Sequence, residues 1–225
     1  MHIAEGVLSI PVLGVGIVAT VAATAIGLKK IEDRQIPQAG VLSACFFVAS
    51  LIHLPLGFTS VHLIFNGLIG LLLGWAAFPV ILIALILQAL FFGFGGIVVL
   101  GINCLNIALP AVLVGYLIRH LAYALPDWGK GFTAGFLAVF LTSLMVSLTL
   151  AFSSEGFVAS AKLVVLGHLP VALIEGVVSG FALALMGKVR PGLLQPISIA
   201  RARPLPQEFC SELAPAQAAK GTANV

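Results

Sequence analysis

The sequence predicts an all-α integral membrane protein of about seven transmembrane helices, with its N-terminus outside and its C-terminus cytoplasmic. Three observations carry this. Of 225 residues, 60% are hydrophobic and 8% charged, with a mean hydropathy of +1.18, whereas a soluble domain runs near about a quarter charged. Apolar segments approaching the ~20 residues that cross a bilayer recur along the chain. The few basic residues gather in alternate connections, as the positive-inside rule requires.

The segments fall in order at 10–28, 38–53, 61–77, 79–92, 97–118, 131–152 and 164–186. Lys29, Lys30 and Arg34 follow the first, which places that connection inside. Met1–Ser9 has no basic residue and contains Glu5. A cleaved signal peptide carries its positive charge before the apolar run, so the N-terminus is read as retained and external. His53 and His62 flank the short loop Leu54–Val61 between the second and third segments. The fourth, 79–92, is long enough only if it tilts little. Gly93, Gly95 and Gly96 then interrupt the apolar sequence at the outer side, as a plain turn or as a lid over a site. Arg119 and Lys130 bracket the next inner connection, and Lys188 and Arg190 follow the last span. With Arg201, Arg203 and Lys220 also inside, only Lys162 of the 11 basic residues is external. Two regions result. Residues 1–188 form the transmembrane domain with its external N-terminal segment. Residues 189–225, punctuated by Pro191, Pro196, Pro204, Pro206 and Pro215, read as a flexible cytoplasmic tail.

This composition excludes a soluble enzyme, a nucleic-acid binder and a disordered chain. Cys45, Cys104 and Cys210 form no C-x-x-C pair, and an odd count argues against a disulfide framework. Gly129-Lys130-Gly131 lacks the hydroxyl residue and spacing of a phosphate loop, so ATP hydrolysis by that route is excluded. Neither H-E-x-x-H nor G-x-S-x-G occurs, which counts against a zinc protease and a serine hydrolase.

Chemistry concentrates in the histidines. The topology puts His2, His53, His62 and His168 at the outer side and leaves only His120, beside Arg119, at the inner face. Imidazole is the commonest side-chain ligand for borderline transition metals. His2 is the most specific of the four. A second-residue histidine protects Met1 from removal, because the trimming aminopeptidase prefers small second residues. The Met1 amine, the His2 amide nitrogen and the His2 ring then close two fused chelate rings on one metal. One more imidazole, for which His62 is the candidate, completes a four-nitrogen plane of the kind suited to Ni(II) or Cu(II).

These residues also carry a family resemblance. Met1-His2-Ile3-Ala4-Glu5-Gly6 resembles the opening of the CbiM/NikM proteins, the substrate-binding (S) components of energy-coupling-factor transporters for cobalt and nickel. Gly57-Phe58-Thr59-Ser60-Val61-His62-Leu63 resembles their second metal-binding stretch, and Gln88–Gly96 with Gly101-Ile102-Asn103-Cys104-Leu105-Asn106 their central signature. His168-Leu169-Pro170 and Ile174-Glu175-Gly176 are similar as well. The resemblance covers residues 1–188 and implies Met1, His2 and His62 as ligands in a near-square-planar site. It implies Co(II) or Ni(II) as transported substrate with no cofactor, and cobalt is favoured. It also implies a transmembrane coupling subunit (CbiQ-like), ATP-hydrolysing cassette subunits (CbiO-like), a small accessory membrane subunit (CbiN-like), a bacterial cytoplasmic membrane and a link to cobalamin biosynthesis.

Further polar residues invite roles. His62 and Asn66, and Asn103 and Asn106, share helix faces; the asparagines support the site or bond helix to helix, and His53 is a lesser candidate for support. Glu175, two turns from His168, pairs with that histidine or caps a loop; neither is read as a ligand. Ala19, Ala23 and Gly27 form a small-residue stripe, packing internally or meeting the coupling subunit. The competing readings are a self-sufficient permease, which needs a continuous polar path, and a membrane-embedded enzyme built on Ser60 and His62.

Overall fold

The computed structural model describes residues 3–51, 53–56, 59–121 and 125–189, in which seven α-helices and one β-hairpin follow in order. Helix α1 (Ile10–Lys30) begins with a proline in its first turn, where the missing N–H costs nothing, and ends in Lys29 and Lys30. Only the stripe Gly16, Thr20, Ala23 and Gly27 of α1 is buried, against α5 and the turn after α3; the opposite face stays apolar and exposed. A short 3-10 turn, Asp33–Gln35, closed by reciprocal bonds between Glu32 and Gln35, leads into α2 (Ile36–Ala49). Ser43 Oγ of α2 donates to Val80 O at 3.1 Å, seating α2 on α4.

The expected loop after α2 is instead an antiparallel hairpin, β1 (His53–Leu56) and β2 (Thr59–His62), with His53 paired to His62. The hairpin takes the start of the expected 61–77 span. Phe65, at φ 50 in the left-handed region, then delays helix α3 until Asn66–Leu73. The chain leaves α3 through Gly74, whose φ of 57 suits glycine, and a 3-10 turn, Gly74–Ala76. Helix α4 (Ala77–Phe92) follows. Helices α5 (Leu100–Leu121), α6 (Asp127–Ser153) and α7 (Val158–Val189) complete the described bundle.

Backbone contact fixes how these helices lie. Asn66 meets Ile107, Gly70 meets Ala111, and Gly74 meets Arg119, so α3 runs alongside α5 in the same direction. Just past the turn, Phe78 O accepts from Cys104 Sγ at 3.9 Å, back toward the start of α5; the chain has reversed. A Cβ on Gly67 would fall on the Ala134 carbonyl and one on Gly70 on that of Ala111, so α3 is wedged backbone-to-backbone between α6 and α5. The most extensive pair is α6 with α7, drawn together where Gly131 and Gly135 face Ser179 and Glu175.

Among the described residues, five helical runs are long and apolar enough to cross a membrane: Ile10–Lys30, Asn66–Phe92, Leu100–Leu121, Asp127–Ser153 and Ala159–Val189. The expected span 79–92 and all of 61–77 from Asn66 onward fall inside the single run Asn66–Phe92, and α2, with 14 residues, is shorter than the ~20 of a full crossing.

Candidate metal centre

Met1 and His2 lie outside the described residues, but the chain that follows them is firmly held. The Ile3 N–H donates to Asn103 Oδ1 at 3.0 Å, and Asn103 Nδ2 donates to Ile3 O at 3.2 Å. An asparagine amide presents an acceptor and a donor side by side, which matches the N–H and C=O that an extended residue turns to the same side. Ile3 itself is fully buried among Leu8, Val99, Ile102, Val146, Leu150 and Val164, a small apolar cluster of the N-terminal segment with α5, α6 and α7. Glu5 adds a second fastening, its Oε1 accepting from Val98 N at 2.9 Å. Gly96, at φ 105, lies directly against the Glu5 side chain, where any Cβ would collide with it. The glycine segment after α4 therefore serves as a seat for the N-terminal arm.

His62 ends β2 with 3% of its surface exposed, and its Nδ1 lies 3.0 Å from Leu63 O. With Nδ1–H donating to that carbonyl, the lone pair of the neutral ring sits on Nε2, the atom that binds a metal in this tautomer. β2 rests on α7, the helix whose Val164 also packs on Ile3. Both arms of the expected site thus rest on one helix. His53 reaches this region through the hairpin, as the cross-strand partner of His62. Among the described residues no three His, Cys, Asp or Glu side chains converge.

The three asparagines divide their labour. Asn103 is the one that touches the N-terminal arm among the described residues. Asn66 is fully buried and donates from Nδ2 to Ile107 O at 3.1 Å and Thr142 Oγ1 at 3.0 Å, tying α3 to α5 and α6. Asn106 Oδ1 accepts from Thr149 Oγ1 at 3.1 Å, tying α5 to α6. These two are helix-to-helix bonds.

Glu175 caps a loop, one of its two expected roles: its Oε2 accepts from Ile64 N at 3.1 Å, two residues beyond His62. His168 Nδ1 contacts Val164 O of its own helix at 2.6 Å. The small-residue stripe on α1 packs within this chain, one of its two expected roles. Ala23 and Gly27 are buried, with Gly27 against Trp75 O and the Pro79 ring of the chain itself; Ala19 is half-buried. Glycine at that spacing lets α1 approach this chain's own turn. In the sequence Glu5 counts only as a negative charge and a member of the opening motif; its hold on Val98 was not foreseen, since a lone exposed carboxylate carries no local pattern.

Comparison with known proteins identifies the family. The family model described as the cobalt uptake substrate-specific transmembrane region matches residues 2–193. A Haemophilus influenzae protein named as a metal transport protein is 41% identical over 199 residues, covering 86% of this chain and 97% of the relative. The cobalt transport protein CbiM of Sorangium cellulosum is 32% identical over 222 residues, covering 91% and 99%. A Methanocorpusculum labreanum protein named as a fused cobalt transport protein, CbiMQ, is 29% identical over 221 residues, covering 88% of this chain and 37% of the relative. A crystal structure of a truncated transition metal transporter superposes with a TM-score of 0.75 at 27% identity, covering 84% of this chain and 99% of that one. The chain belongs to the CbiM family of metal transport proteins.

Proposed function

We propose that this chain is the metal-capture subunit of an energy-coupling-factor importer, taking Co(II), with Ni(II) as the alternative, at the outer membrane face. The Met1 amine, the His2 amide nitrogen and ring, and the His62 ring form the donor set. The observation that carries this reading is the two-point hold of Asn103 on Ile3, which fixes the residue next to His2 while β2 brings His62 to α7, the helix on which Ile3 also packs.

The direction of α3 beside α5 and the reversal at Gly74 support seven crossings in place of five, with α2 and its hairpin serving as the second. The basic residues then set the N-terminus outside in a bacterial cytoplasmic membrane. Loading from outside is followed by reorientation of the whole subunit and release inside, for cobalamin biosynthesis. Partner cassette ATPases supply the energy through a CbiQ-like coupling subunit, with a CbiN-like subunit assisting. The fused CbiMQ relative supports a coupling partner in direct contact, because two functions joined in one chain work side by side. Cobalt is favoured by the family description and by the Sorangium cellulosum relative.

The test is stoichiometric Co(II) and Ni(II) binding by protein with its authentic Met1, compared with a version carrying one extra N-terminal glycine. One metal per native chain and none in the extended chain is the expected result. Equal binding by both removes Met1 from the site, and binding by neither sinks the capture reading. Metal uptake into vesicles by the chain alone, without ATPase partners, would favour a stand-alone permease.

A further inference from the structure

We propose that Glu175 is a positioning residue for the metal, acting through the His62 arm. The proposal rests on the capture reading and names a residue outside the donor set. Glu175 sits on α7 with no exposed surface, in a setting where a buried carboxylate is retained only for a reason. Its Oε2 accepts the Ile64 N–H at 3.1 Å, and the Phe65 amide lies against the same carboxylate. Between those amides and His62 stands only Leu63, whose carbonyl contacts His62 Nδ1.

The segment needs such an anchor. Phe65 is the one non-glycine residue at positive φ among the described residues, and a bulky aromatic stays there only when its surroundings hold it. The turn it makes converts the strand of His62 into helix α3, and α3 cannot shift to compensate, since Gly67 and Gly70 are in backbone contact with Ala134 and Ala111. The Glu175 backbone is fixed too, its carbonyl facing Gly135 of α6. Glu175 therefore ties Leu63–Phe65 to a rigid pair of helices. The Leu63 carbonyl fixed in this way selects the His62 tautomer and aims the ring.

The test uses full-length protein with its authentic Met1, Ni(II) or Cu(II) as probe, and two readouts: affinity and the visible absorption of the bound metal, which reports how many nitrogens surround it. Glu175→Leu keeps the volume and removes the acceptor; Glu175→Gln keeps an acceptor oxygen. The leucine variant is expected to bind about 10–100-fold more weakly, with its spectrum moved to that of His62→Ala. The double variant is expected to bind no worse than His62→Ala alone, and Glu175→Gln to keep the native spectrum. A native spectrum in the leucine variant, an additive loss in the double variant, or a glutamine variant as impaired as leucine would each overturn the proposal. If the leucine variant does not fold, Glu175→Ala is read in the same way, and the glutamine variant still decides. Were His62→Ala itself to leave affinity and spectrum unchanged, the capture reading would fail at its fourth ligand, a result distinct from a failure of Glu175.

Discussion

Asn103 and Ile3, a hundred residues apart, exchange two hydrogen bonds in the manner of neighbouring β-strands, at 3.0 and 3.2 Å. A helix side chain thereby does the work of a strand partner, and the N-terminal arm is set against α5 without a sheet. Replacing Asn103 by leucine leaves the Ile3 N–H and C=O buried and unpaired, at about 1–3 kcal/mol for each group. Metal affinity is expected to fall about 10–100-fold, measured by calorimetric titration, while the protein still purifies as a monodisperse species. Unchanged affinity would separate Ile3 from the site.

Acid should weaken binding. A free α-amine ordinarily titrates at about 7.7–8.0 and a free imidazole at about 6.5, and both groups must lose their protons to bind a metal. Affinity is therefore expected to be greatest above pH ~8 and to fall as pH drops through both values. Binding should release protons, which titration in two buffers of different ionisation enthalpy would count. A flat profile between pH ~6 and ~8 would remove the amine from the donor set.

Two glycines make opposite forecasts. Gly70→Ala places a methyl on the Ala111 carbonyl and is expected to cost about 3 kcal/mol. Gly14→Ala, on the open face of α1 with nothing within 4 Å, should gain up to about 1 kcal/mol from helix propensity. Thermal denaturation in detergent checks both, and equal effects would contradict the described path of α3.

Arg119 closes the other end of α3. Its Nε donates to Leu71 O at 2.7 Å, and its Nη2 to Leu71 O and Gly70 O. Leu71 O is one of the carbonyls that the end of a helix leaves without an intrahelical partner, while Gly70 O also accepts the Gly74 N–H. Arg119→Met is expected to lose about 1.5–3 kcal/mol, with metal affinity unchanged in the folded fraction, because the cap lies at the far end of α3 from His62. A fall in affinity comparable to that of His62→Ala would show that the two ends of α3 are coupled.

The helices were legible in the sequence because hydrophobic length and basic connections report a membrane directly. The apolar stretch around residue 78 reads as two segments, 61–77 and 79–92, and the chain turns within it at Gly74–Ala76. The hairpin was not, since Leu54–Val61 offers neither an Asn-Gly turn nor clean alternation. At the site, the second-residue histidine and His62 stood out by residue type. The partner of Asn103 was hidden, because nothing local in Asn103 points to a residue so distant in sequence. For Glu175, its placement inside a span signalled a role, and only the fold could name Ile64 as the group it holds.

The seam at Gly131 and Gly135 has a mechanical meaning. Where two backbones touch, there is no side-chain cushion to absorb sliding, and close-packed interfaces switch rather than stretch. Helices α6 and α7 accordingly form a plank with little freedom to slide along its seam. In the proposed reorientation of the subunit, the distance between Ser147 and Ala161, joined at 2.9 Å across that plank, is expected to stay constant while the plank swings against the bilayer.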